Sequence, residues 1–357
     1  MASASMGNLL EISNGHSLQA LPPRQRAVPR GAHAIRRILV CIDRSPLSVP
    51  CLQHAIAISK SLGSAITLLN VVQPRAERPG QSMDVLDWEV SRQEASAYME
   101  RLERDGTTAS GQHVETRLEQ GHASERITAV AREIGADLLV LGTHGGRGAA
   151  AWNLGSTVLQ VLAVTRGSVL IARPNVVGAG EVSPKRILIP LDGSVRTESV
   201  LPTAVRIAKK CGAELLLVMV VRDLVPTAVL HAQEDVDVAR DLAGRLEASG
   251  NRYLEGLRDQ LVREGASVRT VVLRSADEKQ ALLDFSQKER SDLVILSAHG
   301  ATCNPAVTFG SVTAHHLTHS LVALLVLQDL RDADFRQQEK DDRAPPLRAS
   351  FPPSENV

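Results

Sequence analysis

The chain repeats itself, and the repeat restricts its fold more than any other feature does. Residues 36–72, RRILVCIDRSPLSVPCLQHAIAISKSLGSAITLLNVV, align without a gap on residues 185–221, KRILIPLDGSVRTESVLPTAVRIAKKCGAELLLVMVV. Roughly a third of these positions are identical, among them Asp43 with Asp192, Ser45 with Ser194 and Gly63 with Gly212. Farther along, DLLVLGTHGG…LGST matches DLVILSAHGA…FGSV. That match pairs Asp137 with Asp292, His144 with His299, Gly145 with Gly300, Gly155 with Gly310 and Ser156 with Ser311. Matches in the same order twice define a tandem duplication of a unit of about 140 residues. The 357 residues therefore predict a domain over 35–173, a Pro- and Gly-bearing linker over 174–184 and a second domain over 185–328.

Each unit alternates short β-branched runs with longer amphipathic ones. In the first, RILVCI, AITLLNVV, VETRLEQ, DLLVLG and SVLIAR read as strands. SVPCLQHAIAISKSLG, DWEVSRQEASAYMERLERDG, ASERITAVAREIG and GSTVLQVLAVT read as helices. The second unit follows the same plan with a longer helical insert, HAQEDVDVARDLAGRLEASGNRYLEGLRDQLVREG, after its second strand. Strands that are apolar on both faces, each followed by a helix, belong to a parallel sheet covered on both sides. The expectation is an α/β fold of two tandem doubly wound domains, each a five-stranded, mainly parallel sheet with helices on both faces.

Composition narrows the function classes. With 40 basic and 40 acidic residues and 2% aromatics, the chain offers neither a basic footprint nor a stacking surface for nucleic acid. No apolar run reaches the roughly 18–20 residues of a membrane span, so the expectation is a cytoplasmic protein with no membrane partner. Cys41, Cys51, Cys211 and Cys303 are scattered, without the paired spacing of a zinc site or a disulfide framework. Residues 1–34 and 329–357 have few core formers and predict unstructured tails.

The chemistry gathers after the fourth strand. GTHGGRGAAAWNLGSTV, Gly142 to Val158, holds five glycines and ends in two hydroxyl residues at a helix start, with no lysine. In a doubly wound sheet ligands bind beyond the carboxyl ends of the strands, which brings Asp43 and this corner together. Glycine lets backbone amides approach a ligand, and a helix amino terminus attracts anions, above all phosphate. The spacing Gly142-x2-Gly145-x9-Gly155-Ser156 is neither a P-loop nor the dinucleotide fingerprint. The second unit reads Ser297-x2-Gly300-x9-Gly310-Ser311, with Pro305 in the loop and Val312 in place of Thr157, a weaker version of the same corner. His315 and His319 lie four apart on one helical face without a third ligand in sequence, so no metal is expected. Trp88 and Tyr98 are expected to pack a helix against the sheet.

This spacing, the first strands ILVCID and ILIPLDGS and the closing SVLIARP resemble the universal stress protein family over almost the whole of 36–173 and 185–327. Members with this spacing bind ATP. The resemblance therefore implies adenine between the ends of the first and second strands, with Asp43 by the adenosine and Val71 or Val72 by the base. It further implies triphosphate, with or without Mg2+, on the amides of Gly142, His144, Gly145, Gly155, Ser156 and Thr157, and Arg147 within reach. In the second unit Asp192, Gly300, Gly310 and Ser311 are the matching positions. The resemblance also implies that SVLIAR and ALLVLQ, the last strands of the two units, meet across a pseudo-two-fold axis, and that the chain associates as a homodimer or with other proteins.

Three functions fit these residues. The first is a non-enzymatic ATP-binding stress or regulatory protein, the second an enzyme such as a slow ATPase or an adenylate-forming transferase, the third an interaction scaffold that binds no nucleotide. The absence of a Walker lysine and of a pyrophosphate loop favours the first over the second.

Overall fold

The computed structural model describes residues 34–45, 48–73, 85–143, 154–173, 182–223, 233–302 and 307–328. Both expected tails, apart from Ala34, and most of the expected linker lie outside them. The first unit runs β1 (Arg37–Cys41), α1 (Val49–Leu62), β2 (Ala65–Val72), α2 (Val85–Ser110), β3 (Val114–Gln120), α3 (Ala123–Glu133), β4 (Leu138–Gly142), α4 (Ser156–Val164) and β5 (Ser168–Ala172). The second runs β6 (Arg186–Pro190), α5 (Val195–Glu198), α6 (Leu201–Cys211), β7 (Glu214–Arg222), α7 (Gln233–Arg263), β8 (Ser267–Ser275), α8 (Glu278–Lys288), β9 (Leu293–Ser297), α9 (Ser311–His319) and β10 (Ala323–Leu327). The sequence expectation of five strands in each unit is met.

Local chemistry explains the matched positions that lie far from any ligand. Helices α1 and α6 each carry proline in the first turn and end on Gly63 and Gly212, whose φ values of 76° and 68° are left-handed. Glycine takes that conformation without steric cost, so this identical pair is a helix stop. Asp137 accepts the backbone N–H groups of Arg36 and Arg37 at 2.8 and 2.9 Å. Asp292 does the same for Lys185 and Arg186 at 2.8 and 2.9 Å. These two acids tie the start of each fourth strand to the start of its first, at the edge of the sheet opposite the glycine corner.

The strands form one ten-stranded sheet in the order β3-β2-β1-β4-β5-β10-β9-β6-β7-β8. Every pairing is parallel except the central one, where Leu324 opposes Ile171, Leu325 opposes Leu170 and Val326 opposes Val169 antiparallel. The last strands therefore meet, and the two units are related by a pseudo-two-fold axis at this seam. All six seam side chains are at most 1% exposed. Burial of each is worth about 1.5–3 kcal/mol.

Strand alternation sends Ile38 and Val40 to one face, under α1, α2, α6 and α7, and Leu39 to the other, under α3, α4, α8 and α9. Tyr98 packs against the first of these cores, with the Arg101 guanidinium 5.3 Å from its ring centre; Trp88 stays half-exposed. Side chains also cross the seam. Arg206 on α6 donates to the Leu62 carbonyl at the end of α1 at 2.8 Å. The buried Arg173 donates to the Leu317 carbonyl near the end of α9 at 2.9 Å. Both cations sit where a helix carboxyl end carries partial negative charge.

Candidate functional site

In each unit the first strand leads to one side of the sheet and the fourth strand lies on its other side. A crevice therefore opens at their carboxyl ends. In the second unit it is a cleft of about 280 Å³, whose lining includes Asp192, Val220, Glu278, His299, Gly310 and Ser311. The described residues show the second corner in more detail than the first, although the sequence marks the first as the stronger. His144, Gly145 and Arg147 lie outside the described residues.

Asp192 holds the second corner together. Its Oδ1 accepts the Ser194 backbone N–H at 2.9 Å and the Thr197 hydroxyl at 2.8 Å, and its Oδ2 accepts the Ala301 N–H at 2.7 Å. Burial opposes ionisation of this carboxyl, but the donors of Ser194, Thr197 and Ala301 together outweigh it and hold its pKa below the ordinary value. Asp192 does not cap the following helix; Ser194 does, accepting from the Thr197 N–H. Asp43 repeats the Oδ1 part of this arrangement in the first unit: it accepts the Ser45 N–H at 3.0 Å, the Ser45 hydroxyl at 2.6 Å and the Ser48 hydroxyl.

The Asp192 carboxylate also explains Gly300. A β-carbon there would lie 2.6 Å from Asp192 Oδ2, closer than any contact can be. Ser297, where the first unit has Gly142, is extended at the end of β9, and Gly142 likewise ends β4. Serine fits because the position is strand and not a left-handed turn. The Ser297 hydroxyl donates to the His299 carbonyl at 2.5 Å. The His299 ring is buried, and its Nε2 lies 2.8 Å from the Val307 carbonyl. A carbonyl can only accept, so Nε2 carries the proton and the ring staples the loop.

Gly155 and Gly310 depart from their expected role as phosphate donors. The Gly155 N–H donates to the Thr143 carbonyl at 2.8 Å, and the Gly310 N–H to the Ala298 carbonyl at 2.7 Å. These amides close the loop onto the strand end and are not turned to a ligand. Each glycine is instead the N-cap of its helix, with φ, ψ of −66°, 158° and −65°, 166°. Any residue can adopt these angles, and among the described residues a β-carbon would meet nothing nearer than 3.5 Å at Gly155 or 3.4 Å at Gly310. What glycine provides is the lack of a capping side chain.

The N–H groups of the first helical turns, Ser156 to Val158 and Ser311 to Thr313, consequently have no protein acceptor among the described residues. Helix α8 shows the alternative, since Asp277 accepts the Lys279 and Gln280 N–H groups at 3.0 and 3.1 Å. Two uncapped helix starts facing the carboxyl edge are positive ends suited to an anion.

Of the two valines, Val71 lies on the site face. It is half-buried in the core beneath α3 and α4, and its repeat partner Val220 lines the cleft. Val72 points to the other face by strand alternation, as does its partner Val221, which lies against α7.

Sequence reasoning missed two features. Ser48 and Thr197 occupy the same repeat position and donate to the two aspartates; a hydroxyl preserved without identity was the available signal. Glu278 was invisible because nothing in sequence places the start of α8 on the cleft wall. Among the described residues no helix is long and apolar enough to cross a membrane, and no group of three or more His, Cys, Asp or Glu side chains is gathered as metal ligands.

Comparison with known proteins agrees with this architecture. The sequence profile described as "Universal stress protein family" matches residues 34–173 and again 184–328. A universal stress protein of Methanocaldococcus jannaschii is 25% identical over 154 residues, 43% of this chain and 88% of that protein. Among solved structures, a universal stress protein from Archaeoglobus fulgidus superposes with a TM-score of 0.56 at 18% identity, covering 82% of this chain and 98% of that one. A Pseudomonas aeruginosa structure described as a putative universal stress protein gives a TM-score of 0.56 at 18% identity, covering 87% and 98%. At this identity the structural likeness concerns the fold.

Proposed function

Since the chain belongs to the universal stress protein family, we propose that it is a non-enzymatic regulatory protein that binds an adenine nucleotide at the carboxyl edge of its sheet. One observation carries this reading: the glycine-begun helix starts of α4 and α9, whose first-turn amides, beside the strand ends, have no acceptor among the described residues. In the first unit, ATP with Mg2+ places its phosphates over Ser156 and Thr157, beyond Gly142 and the segment carrying His144, Gly145 and Arg147. Asp43 lies toward the ribose and Val71 under the base. Occupancy then alters the surface shown to protein partners or to a second copy of the chain, in the cytoplasm.

The test uses aspartate, which fits the N-cap and itself accepts the open amides, so the fold is retained while phosphate is excluded by charge and by space. Calorimetric titration with ATP and magnesium is expected to show binding to the unaltered chain, with negligible phosphate release. Gly155→Asp is expected to lose the first-unit site by about a hundredfold or more, as fits the removal of several charge-assisted bonds. Unchanged ATP affinity in Gly155→Asp would remove α4 from the site. No ATP binding by the unaltered chain would refute the proposal and favour a nucleotide-independent scaffold. Sustained phosphate release that Gly155→Asp abolishes would favour an ATPase.

A further inference from the structure

The two clefts are built on one plan but do not carry the same charge. Counting back from the matched Asp137 and Asp292, the residue opening α8, Glu278, stands where α3 opens with Ala123. Glu278 lines the second cleft with Leu282, Val218 and Val220, on the side where the base would lie, while Asp192 lines the same cleft from the end of β6. Two carboxylates therefore share this concave site, whereas the first unit has Ala123 at the position that matches Glu278.

Building on the reading of these clefts as nucleotide sites, we propose that Glu278 makes the second one a selective site for adenine ligands of low charge, adenosine before AMP and AMP before ATP, while the first takes ATP. The carboxylate accepts hydrogen bonds from a ligand amine or hydroxyl. It repels each added phosphate across a confined, partly desolvated space. The surroundings agree: burial first, and then the charge of Asp192, push the Glu278 carboxyl above its ordinary value, with the Lys279 ammonium opposing them. His299, from the end of β9, is the remaining ionisable neighbour in the cleft lining, and its Nε2 is engaged by the Val307 carbonyl.

Val220, whose side chain lines this cleft, reads it separately from the first one. With [13C]methyl-valine, its resonances, assigned by Val220→Ile, follow occupancy of the second cleft in the full chain. Adenosine, AMP and ATP with magnesium are titrated into the unaltered chain, Glu278→Gln and Glu278→Ala at pH 7.5.

The expected order is adenosine tightest and ATP weakest in the unaltered chain. Glu278→Gln, which keeps an acceptor, is expected to tighten ATP by about five- to tenfold and to leave adenosine within about twofold. Equal effects of Glu278→Gln on ATP and adenosine, or none on either, would overturn the inference while leaving both clefts as nucleotide sites. Val220 resonances that no adenine ligand moves, with ATP still bound by calorimetry, would refute the second cleft as a nucleotide site and the inference with it. Glu278→Ala guards against a packing effect of the amide, and agreement with Glu278→Gln for ATP is required.

Discussion

Replacing Gly300 by alanine tests the account of the second corner at one atom. The added β-carbon would sit 2.6 Å from Asp192 Oδ2, the oxygen that accepts the Ala301 N–H at 2.7 Å. To make room, the carboxylate must leave that amide or the loop must shift. Overpacking costs about 1–3 kcal/mol and a hydrogen bond to a charged group about 1.5–3 kcal/mol. Relaxation trades one against the other, so the expected loss of stability is about 2–3 kcal/mol and not their sum. Urea unfolding reads it directly: with a slope near 3 kcal/mol/M the midpoint falls by about 0.7–1 M.

The control is Gly310→Ala, whose nearest contact would be 3.4 Å, with an expected cost below about 1 kcal/mol. The decisive measurement is a double-mutant cycle with Asp192→Ala. Removing the carboxylate removes the clash, so Gly300→Ala is expected to cost at least about 1 kcal/mol less in that background. Additive effects would refute the steric account of Gly300, as would a Gly300→Ala chain within about 0.5 kcal/mol of the parent.

Other substitutions separate scaffold from site. Asp292→Ala leaves the Lys185 and Arg186 N–H groups without their acceptor, so urea unfolding is expected to show a loss of about 1–2 kcal/mol with nucleotide affinity unchanged. Gly63→Ala meets no neighbour but keeps a φ of 76°, and thermal unfolding is expected to register about 1 kcal/mol of backbone strain. Burial lowers the imidazoles of His54 and His316 to about 4. Their folded values lie below the unfolded one, so the unfolded chain binds more protons in this range. Stability is then complete above about pH 6.5 and lost as the pH falls toward 4, a slope in pH-dependent unfolding that His316→Asn is expected to reduce. The carboxyl of Asp192, held below its ordinary value, contributes stability present above about pH 3.9 and lost as the pH falls through its folded value. Asp192→Asn is expected to flatten that part of the curve.

Much of this protein was legible in its sequence because the signals are local. Apolar runs with a period of two or 3.6 set the strands and helices to within a few residues, since burial of one face rewards that period. The ungapped repeat determined that whatever the first unit builds, the second builds again. Glycine spacing after the fourth strand placed the candidate site at the carboxyl edge, because sheet topology brings those ends together whatever the side chains. The roles of the matched residues were not legible. Asp137 and Asp292 match as perfectly as Asp43 and Asp192, yet they clamp the opposite edge of the sheet. Gly63 and Gly155 are equally glycine, one for a left-handed φ and the other for an N-cap left without a side chain. Nor could sequence place Glu278 on the cleft wall, which depends on elements far apart in the chain, or turn the Gly310 N–H toward Ala298, which depends on the path of the loop between β9 and α9. A repeat records which positions resist change; only packing decides whether sterics, a hydrogen bond or charge is the reason.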